Sequence, residues 1–190
     1  MSVDLSWLAR YRSSEPHFGL ERMEALLALR GNPHLACPVI HLAGTNGKGS
    51  TLAHLRSLLE AKELRVGVFT SPYLVSFNEQ ISIDGIPISD RDVETYLSLY
   101  QELLAKNSSD QTLRGLTEFE LMTVMAFDYF AAKKPDVVVM EVGMGGRLDS
   151  TNVCQPILTA ITTIGLDHVA LLGPDLASIA REKAGIIKEK

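Results

Sequence analysis

Cysteine is scarce in this chain and long apolar runs are missing, and both shortages narrow what it can be. Only two cysteines occur in 190 residues, Cys37 and Cys154. They stand far apart, without the spacing of a metal site or a redox pair, so both read as small buried apolar residues. No apolar stretch approaches the ~20 residues needed to span a bilayer. The N-terminus, Met1-Ser2-Val3-Asp4-Leu5, lacks the basic segment and apolar run of a secretory leader. Positive charge is not in excess either. A formal net charge of −5 offers no global field for nucleic acid or an anionic membrane. An anionic substrate must then be held by local groups. The expectation is a soluble, cytoplasmic protein whose partners are small molecules, with no nucleic acid and no membrane.

What is present is ordinary for a globular protein: 46% hydrophobic and 22% charged residues, enough for one domain with a substantial core. No internal repeat or low-complexity tract interrupts it. Leu20, Met23, Leu26 and Leu27 recur at helical spacing within residues 18–30, and Gly31-Asn32-Pro33 ends that helix. Val39-Ile40-His41-Leu42-Ala43 is a short buried strand, followed by a helix over 50–61 and a second strand over 66–70. Two short strands over 81–83 and 86–88, joined by Asp84-Gly85, form a hairpin. A helix over 89–106 and a polar loop over 107–115 come next. Thr117-Glu118-Phe119-Glu120 has the form of a capping box opening a helix that reaches Lys133. Val137-Val138-Val139-Met140 is unalternating, as expected for a strand covered on both faces. A strand over 157–164 and a helix over 176–187 close the chain. Strands alternating with helices imply an α/β fold, a mainly parallel sheet with helices on both faces. Ligands in such sheets collect at the carboxyl ends of the strands.

The residues with chemical potential lie at those ends. Gly44-Thr45-Asn46-Gly47-Lys48-Gly49-Ser50 joins a strand to a helix. Glycines let backbone amides turn inward around phosphate oxygens, and the helix N-terminus adds positive potential. Lys48 can reach the terminal phosphates. The common phosphate-loop pattern is incomplete, because Leu42 occupies its first glycine position and Gly49 replaces the hydroxyl after the lysine. That hydroxyl ordinarily holds magnesium, so another group must do so here. Ser50 and Ser71 are candidates, although a serine before proline also serves as a plain turn residue. Glu141, closing an apolar strand, can hold magnesium directly or through water. Gly143-Met144-Gly145-Gly146 is not a dinucleotide fingerprint, since Leu148 stands where the third glycine belongs. His168 follows Asp167 past another strand, and its chemistry alone leaves a structural and a functional role open. His41 reads as core; His17, His34 and His54 carry no signal. Lys183, on chemistry alone, is a solvated helix lysine.

Taken together these segments resemble the folylpolyglutamate synthase/dihydrofolate synthase family of Mur-type ligases. The likeness runs through Phe18-Gly19-Leu20-Glu21-Arg22, the glycine-rich loop, Thr70-Ser71-Pro72-Tyr73-Leu74 and Phe77-Asn78-Glu79. It continues through Leu116 to Glu120, Glu141-Val142-Gly143-Met144-Gly145-Gly146-Arg147-Leu148-Asp149-Ser150-Thr151-Asn152, Leu166-Asp167-His168 and Glu182-Lys183-Ala184-Gly185-Ile186-Ile187-Lys188. One departure is Gln80, where the family usually carries an arginine; a cation with forked donors is lost.

The resemblance implies a phosphate-loop α/β domain of the Mur ligase central type, corresponding to residues 1–190. It further implies that this domain is incomplete and that a glutamate-binding C-terminal domain is absent. The family transfers the γ-phosphoryl group of ATP to a folate or dihydropteroate carboxylate, and glutamate nitrogen attacks the acyl phosphate. By position, Thr45, Asn46, Gly47, Lys48, Gly49 and Ser50 would hold ATP. Ser71 and Glu141 would hold one Mg2+ and His168 a second, with Lys48, Lys183 and His168 as catalytic groups. Lys183 matches a lysine that the family carbamylates. His17, Phe18, Gly19, Thr117, Glu118, Phe119, Glu120, Leu148, Asp149 and Ser150 fall where the pterin-bearing substrate binds. The full-length protein is expected to be a monomer. Two other readings compete: a non-catalytic ATP-binding fragment, and a phosphate-loop kinase or switch GTPase, which would have no use for the motifs beyond the loop.

Overall fold

The computed structural model describes residues 3–12 and 19–189. His17 and Phe18 therefore lie outside the described residues. The strands are β1 (Val39–Ala43), β2 (Val66–Phe69), β3 (Ile81–Ile83), β4 (Ile86–Pro87), β5 (Val137–Glu141) and β6 (Pro156–Ile161). The helices are α1 (Ser6–Ala9), α2 (Glu21–Leu29), α3 (Lys48–Glu60), α4 (Asp90–Lys106), α5 (Glu118–Lys133), α6 (Val169–Leu172) and α7 (Leu176–Ala184). The strands form one six-stranded sheet in the order β4-β3-β2-β5-β1-β6. β2, β5, β1 and β6 run parallel, while β3 and β4 return antiparallel beside β2. The β3–β4 turn is Asp84-Gly85, both at positive φ, the geometry that matches strand twist in a tight hairpin.

Strand periodicity sorts the core into two layers. Ile40 and Leu42 of β1, Val66 and Val68 of β2, and Val137 and Val139 of β5 pack with Leu52 of α3 on one face. The alternate residues Val39, Phe69, Val138 and Met140 face a larger cluster built from α2, α4 and α5. Helix α5 is buried from Glu120 to Phe130 because it lies between the sheet and α2. Inside that layer Asp128 Oδ2 accepts from Tyr100 Oη at 2.7 Å and Arg30 Nε at 2.9 Å, so a buried carboxylate keeps two donors. β6 pairs with β1 alone, and its Ile157 and Leu158 are exposed. Among the described residues no helix is long and apolar enough to cross a membrane.

Several boundaries differ from the sequence expectations, and three have a plain local cause. Helix α3 starts at Lys48, not residue 50, because Gly47 adopts a left-handed conformation and caps it there. The closing helix stops at Ala184, with Gly185 as its cap. β6 stops at Ile161, since the chain beyond it bends to grip the loop after β1. Cys154 is fully buried as expected, whereas Cys37 is only partly buried.

Candidate active site

The carboxyl ends of β1, β2, β5 and β6 share one rim, because these strands are parallel. At its centre, residues 44–47 join β1 to α3. A Cβ on Gly44 would lie 1.9 Å from Thr162 Oγ1, and its φ is +151, so no side chain fits. The loop is tied to the segment after β6: Thr45 N donates to Thr163 O at 2.8 Å, Asn46 N to Thr163 Oγ1 at 3.0 Å, and Thr162 Oγ1 to Asn46 O at 2.7 Å. Lys48 Nζ donates to Gly44 O at 3.0 Å and lies 4.0 Å from Glu141 Oε1. Glu141 is 5% exposed, and its other oxygen accepts from Thr70 Oγ1. Thus a cation, a buried carboxylate and the open amides of a helix N-terminus meet at one point. This is a fit for a phosphate chain.

Beside the loop lies a small cavity of about 60 Å³, lined among others by Lys48, Asp167, His168 and Lys183. Lys183 is buried, and no hydrogen bond or ion pair of its amine is found among the described residues. Burial and the charge of Lys48 push its pKa down, against the pull of Asp167 and Asp149. A buried amine with no salt-bridge partner holds its proton less firmly. His168 stands in a left-handed conformation with its Nε2 3.6 Å from Asp167 Oδ1.

A far larger cavity, about 810 Å³, opens on the other side. Thr117, Glu118, Phe119 and Glu120 contribute one wall, and Leu148, Asp149 and Ser150 another. The capping box is present: Thr117 Oγ1 accepts from Glu120 N at 3.2 Å, and Glu120 Oε2 accepts from Thr117 N at 2.7 Å. Glu120 is also the partner of Arg22, whose Nε donates to Oε1 at 3.0 Å and whose Nη1 donates to Gly115 O at 2.7 Å. Arg12 pairs with Glu118 and Arg147 with Glu182, so each lining arginine is already neutralised by a carboxylate. The cavity therefore offers a polyanion no unpaired cation and presents hydrogen-bonding groups instead. Phe119 supplies a ring, and a Cβ on Gly143 would sit 2.5 Å from it. Gly143, Met144 and Gly145 line both cavities and form the wall between them.

The residues singled out from sequence fall into three groups. Lys48, His168 and Lys183 meet on the small cavity, and Glu141 touches it through Lys48. Ser71 lines the large cavity, directly after the Thr70 that bonds Glu141. Ser50 sits exposed in the first turn of α3, and Gly19 lines neither cavity. Among the described residues no group of three or more His, Cys, Asp or Glu side chains is arranged to hold a metal. Ser71 and Glu141 offer the hard oxygen donors magnesium takes, and the His168 imidazole suits softer ions better. Arg12, Arg22, Thr70, Gln80 and Glu182 were not assigned from sequence. Arg22 left a trace, since it shares the apolar stripe of α2 with Leu26 four residues on.

Residues 42–190 match the Mur ligase middle domain. The chain belongs to the Mur ligase family. A Bacillus subtilis dihydrofolate synthase/folylpolyglutamate synthase is 52% identical over 174 residues, covering 90% of this chain and 40% of that protein. Among solved structures, an FPGS–AMPPCP–folate complex matches with a TM-score of 0.88 and 40% identity, over 99% of this chain and 46% of that one. The E. coli FolC in complex with DHPP and ADP matches with a TM-score of 0.87 and 37% identity, over 98% and 43%. This Mur ligase chain thus spans about 40% of the length of the curated relative.

Proposed function

We propose that this chain forms the nucleotide- and pterin-binding part of an ATP-dependent ligase that adds glutamate to folate or dihydropteroate. The observation that carries the reading is the wall of Gly143, Met144 and Gly145, with a phosphate loop and two lysines on one side and, on the other, a roomy cavity whose arginines are all paired with carboxylates. A pterin-bearing acid lying in the large cavity would bring its carboxylate to that wall. ATP on residues 45–50 would bring its terminal phosphate from the opposite side. Lys48 then neutralises charge on the transferring phosphoryl group, and transfer to the carboxylate gives an acyl phosphate that an amine can attack. Ser71 and Glu141 would hold Mg2+, with His168 toward a second ion, and the metal would supply positive charge to offset that of the phosphates. Lys183 would condense with CO2, its neutral amine forming an N–C bond and releasing a proton, and the resulting carbamate anion would face Lys48 across the small cavity. The intact enzyme would work in the cytoplasm.

A second reading is favoured by the share of the relative's length that the chain spans, 40%: these residues bind ATP and acceptor without ligating them. Mixing the chain with ATP, magnesium, dihydropteroate or tetrahydrofolate, and labelled glutamate separates the two. Labelled conjugate resolved by chromatography supports the ligase. ATP binding with no conjugate supports the binding-only reading. A chain that binds neither ATP nor pterin defeats both.

A further inference from the structure

Behind the large cavity runs a line of buried polar groups that phosphoryl transfer does not use. His41, in β1, is fully buried, and its Nε2 lies 2.8 Å from the hydroxyl of Thr151, 110 residues later. The same hydroxyl bonds Asp149 Oδ1. That oxygen also accepts from Thr151 N at 3.0 Å, while Oδ2 accepts from Met144 N at 2.8 Å. Beyond the imidazole, Cys154 Sγ lies 3.7 Å from His41 Nδ1.

Proton inventory gives this line a direction. Asp149 receives two backbone N–H groups and a hydroxyl, and its ionised form accepts all of them. Thr151 has one hydroxyl proton, and the carboxylate takes it. Thr151 Oγ1 can then meet His41 only as an acceptor, which requires the tautomer protonated on Nε2. Nδ1 is left with its lone pair, and the hydrogen-bond partner found for it among the described residues is the Cys154 thiol, which donates. Each member therefore donates toward Asp149. Burial keeps the carriers neutral: it lowers the His41 pKa to about 3 and raises that of Cys154 to about 12. Burial also raises the Asp149 pKa, and the donors from Thr151 and Met144 oppose that rise.

The line ends at Met144, in the wall shared by both cavities. It passes through β1 at His41, and β1 runs straight into the phosphate loop at Gly44. We propose that His41 and Thr151 are positioning residues, whose ordered hydrogen bonds hold Asp149 so that its carboxylate fixes the Met144 backbone in register with the phosphate loop. The identity of the two ligands rests on the proposed function; the geometry does not. Register matters because a misplacement of about 1 Å between reacting groups can lower a rate roughly a hundredfold.

Three measurements on the chain test this. Nitrogen NMR of the wild-type His41 ring should show a neutral imidazole protonated on Nε2; an Nδ1–H tautomer or an imidazolium at neutral pH overturns the proposal without any mutation. Amide exchange at Met144 should be slow in wild type and in Thr151→Ser, which keeps the hydroxyl, and about tenfold faster in Thr151→Val, which keeps the shape but loses it. Dihydropteroate affinity should follow the same order, falling about tenfold in Thr151→Val and less than about threefold in Thr151→Ser. A merely structural threonine would lower the melting temperature and leave the Met144 exchange rate of the folded valine variant unchanged, which also overturns the proposal. If wild type fails to bind dihydropteroate, the proposed function falls, while the tautomer and the exchange rates still decide the hydrogen-bonded line.

Discussion

Lys48 Nζ and Glu141 Oε1 lie 4.0 Å apart, one on the first residue of α3 and the other on the last residue of β5. The strand register makes this meeting inevitable, because Leu42 of β1 pairs with Glu141 and the loop climbs only a few residues before Lys48. The ammonium rests on the carbonyls of Gly44 and Thr45. Those carbonyls and Glu141 hold a positive charge where a nucleotide's negative charge would arrive.

Lys48→Ala should therefore weaken ATP binding by tenfold or more, since a hydrogen bond to a charged group contributes about 1.5–3 kcal/mol. Titration calorimetry in magnesium buffer on both proteins gives the comparison. Equal affinities would mean that the loop is structural only.

Gly44→Ala should both unfold the loop and lower stability. The added methyl group meets Thr162 Oγ1 at 1.9 Å, a clash of the kind that costs about 1–3 kcal/mol in a packed interior. Thr162→Ala in the same chain should recover only part of the loss, because the Thr162 Cβ and backbone N remain at 3.1 and 3.2 Å. Urea melts of the single and double variants measure it; full recovery would place the strain elsewhere.

Glu120→Ala should be costlier than a surface charge deletion, by about 3–5 kcal/mol, because it strands the buried guanidinium of Arg22 and uncaps α5. Arg22→Met combined with Glu120→Leu should lose less than the sum of the single changes. A double-mutant cycle by chemical denaturation decides, and strict additivity would show that the two side chains are energetically independent.

Acid should destabilise the protein through His41. Its folded pKa is lowered to about 3, against an ordinary value of 6.5, so between those values the unfolded chain takes up a proton that the folded one refuses. Stability is complete above pH 6.5 and falls as pH drops toward 3. His41→Gln cannot titrate, and its stability should decline less steeply over that window. Parallel slopes in denaturant melts from pH 7 to 4 would remove His41 as a source of acid sensitivity.

Lys183 should form a carbamate when bicarbonate is supplied. With labelled bicarbonate, carbon NMR should show a carbamate signal in wild type and none in Lys183→Met. A signal of equal size in both proteins would assign the modification to another amine.

Short-range features are the ones legible in the sequence. The hairpin turn at Asp84-Gly85, the capping box at Thr117 and Glu120, and the loop between β1 and α3 each involve residues a few positions apart, where local stereochemistry decides. The start of α3 is obscured in the sequence by Gly49, a poor helix former, yet Gly47 at positive φ begins the first turn at Lys48. His41 was legible as core, but its bond to Thr151 was not, since sequence does not tell which strand lies beside β1. Arg22 and Glu120, 98 residues apart, were hidden for the same reason. The division of the site into two cavities by Met144 depends on the path of a loop, and no pattern of residue types encodes it.

The position of β1 in the sheet also has a consequence for how the protein is made. Both of its neighbours, β5 and β6, come late in the chain, from residues 137 and 156 onward. At translation speeds of about 5–20 residues per second, β1 waits roughly 5–20 s on the ribosome for its first partner. Until then Val39, Ile40 and Leu42 have no sheet to enter, while β2, β3 and β4 can already pair locally. The phosphate loop takes shape later still, once Thr162 and Thr163 emerge to hold Thr45 and Asn46. Nucleotide in the cell can therefore stabilise the nascent chain only after residues 162 and 163 have joined the fold.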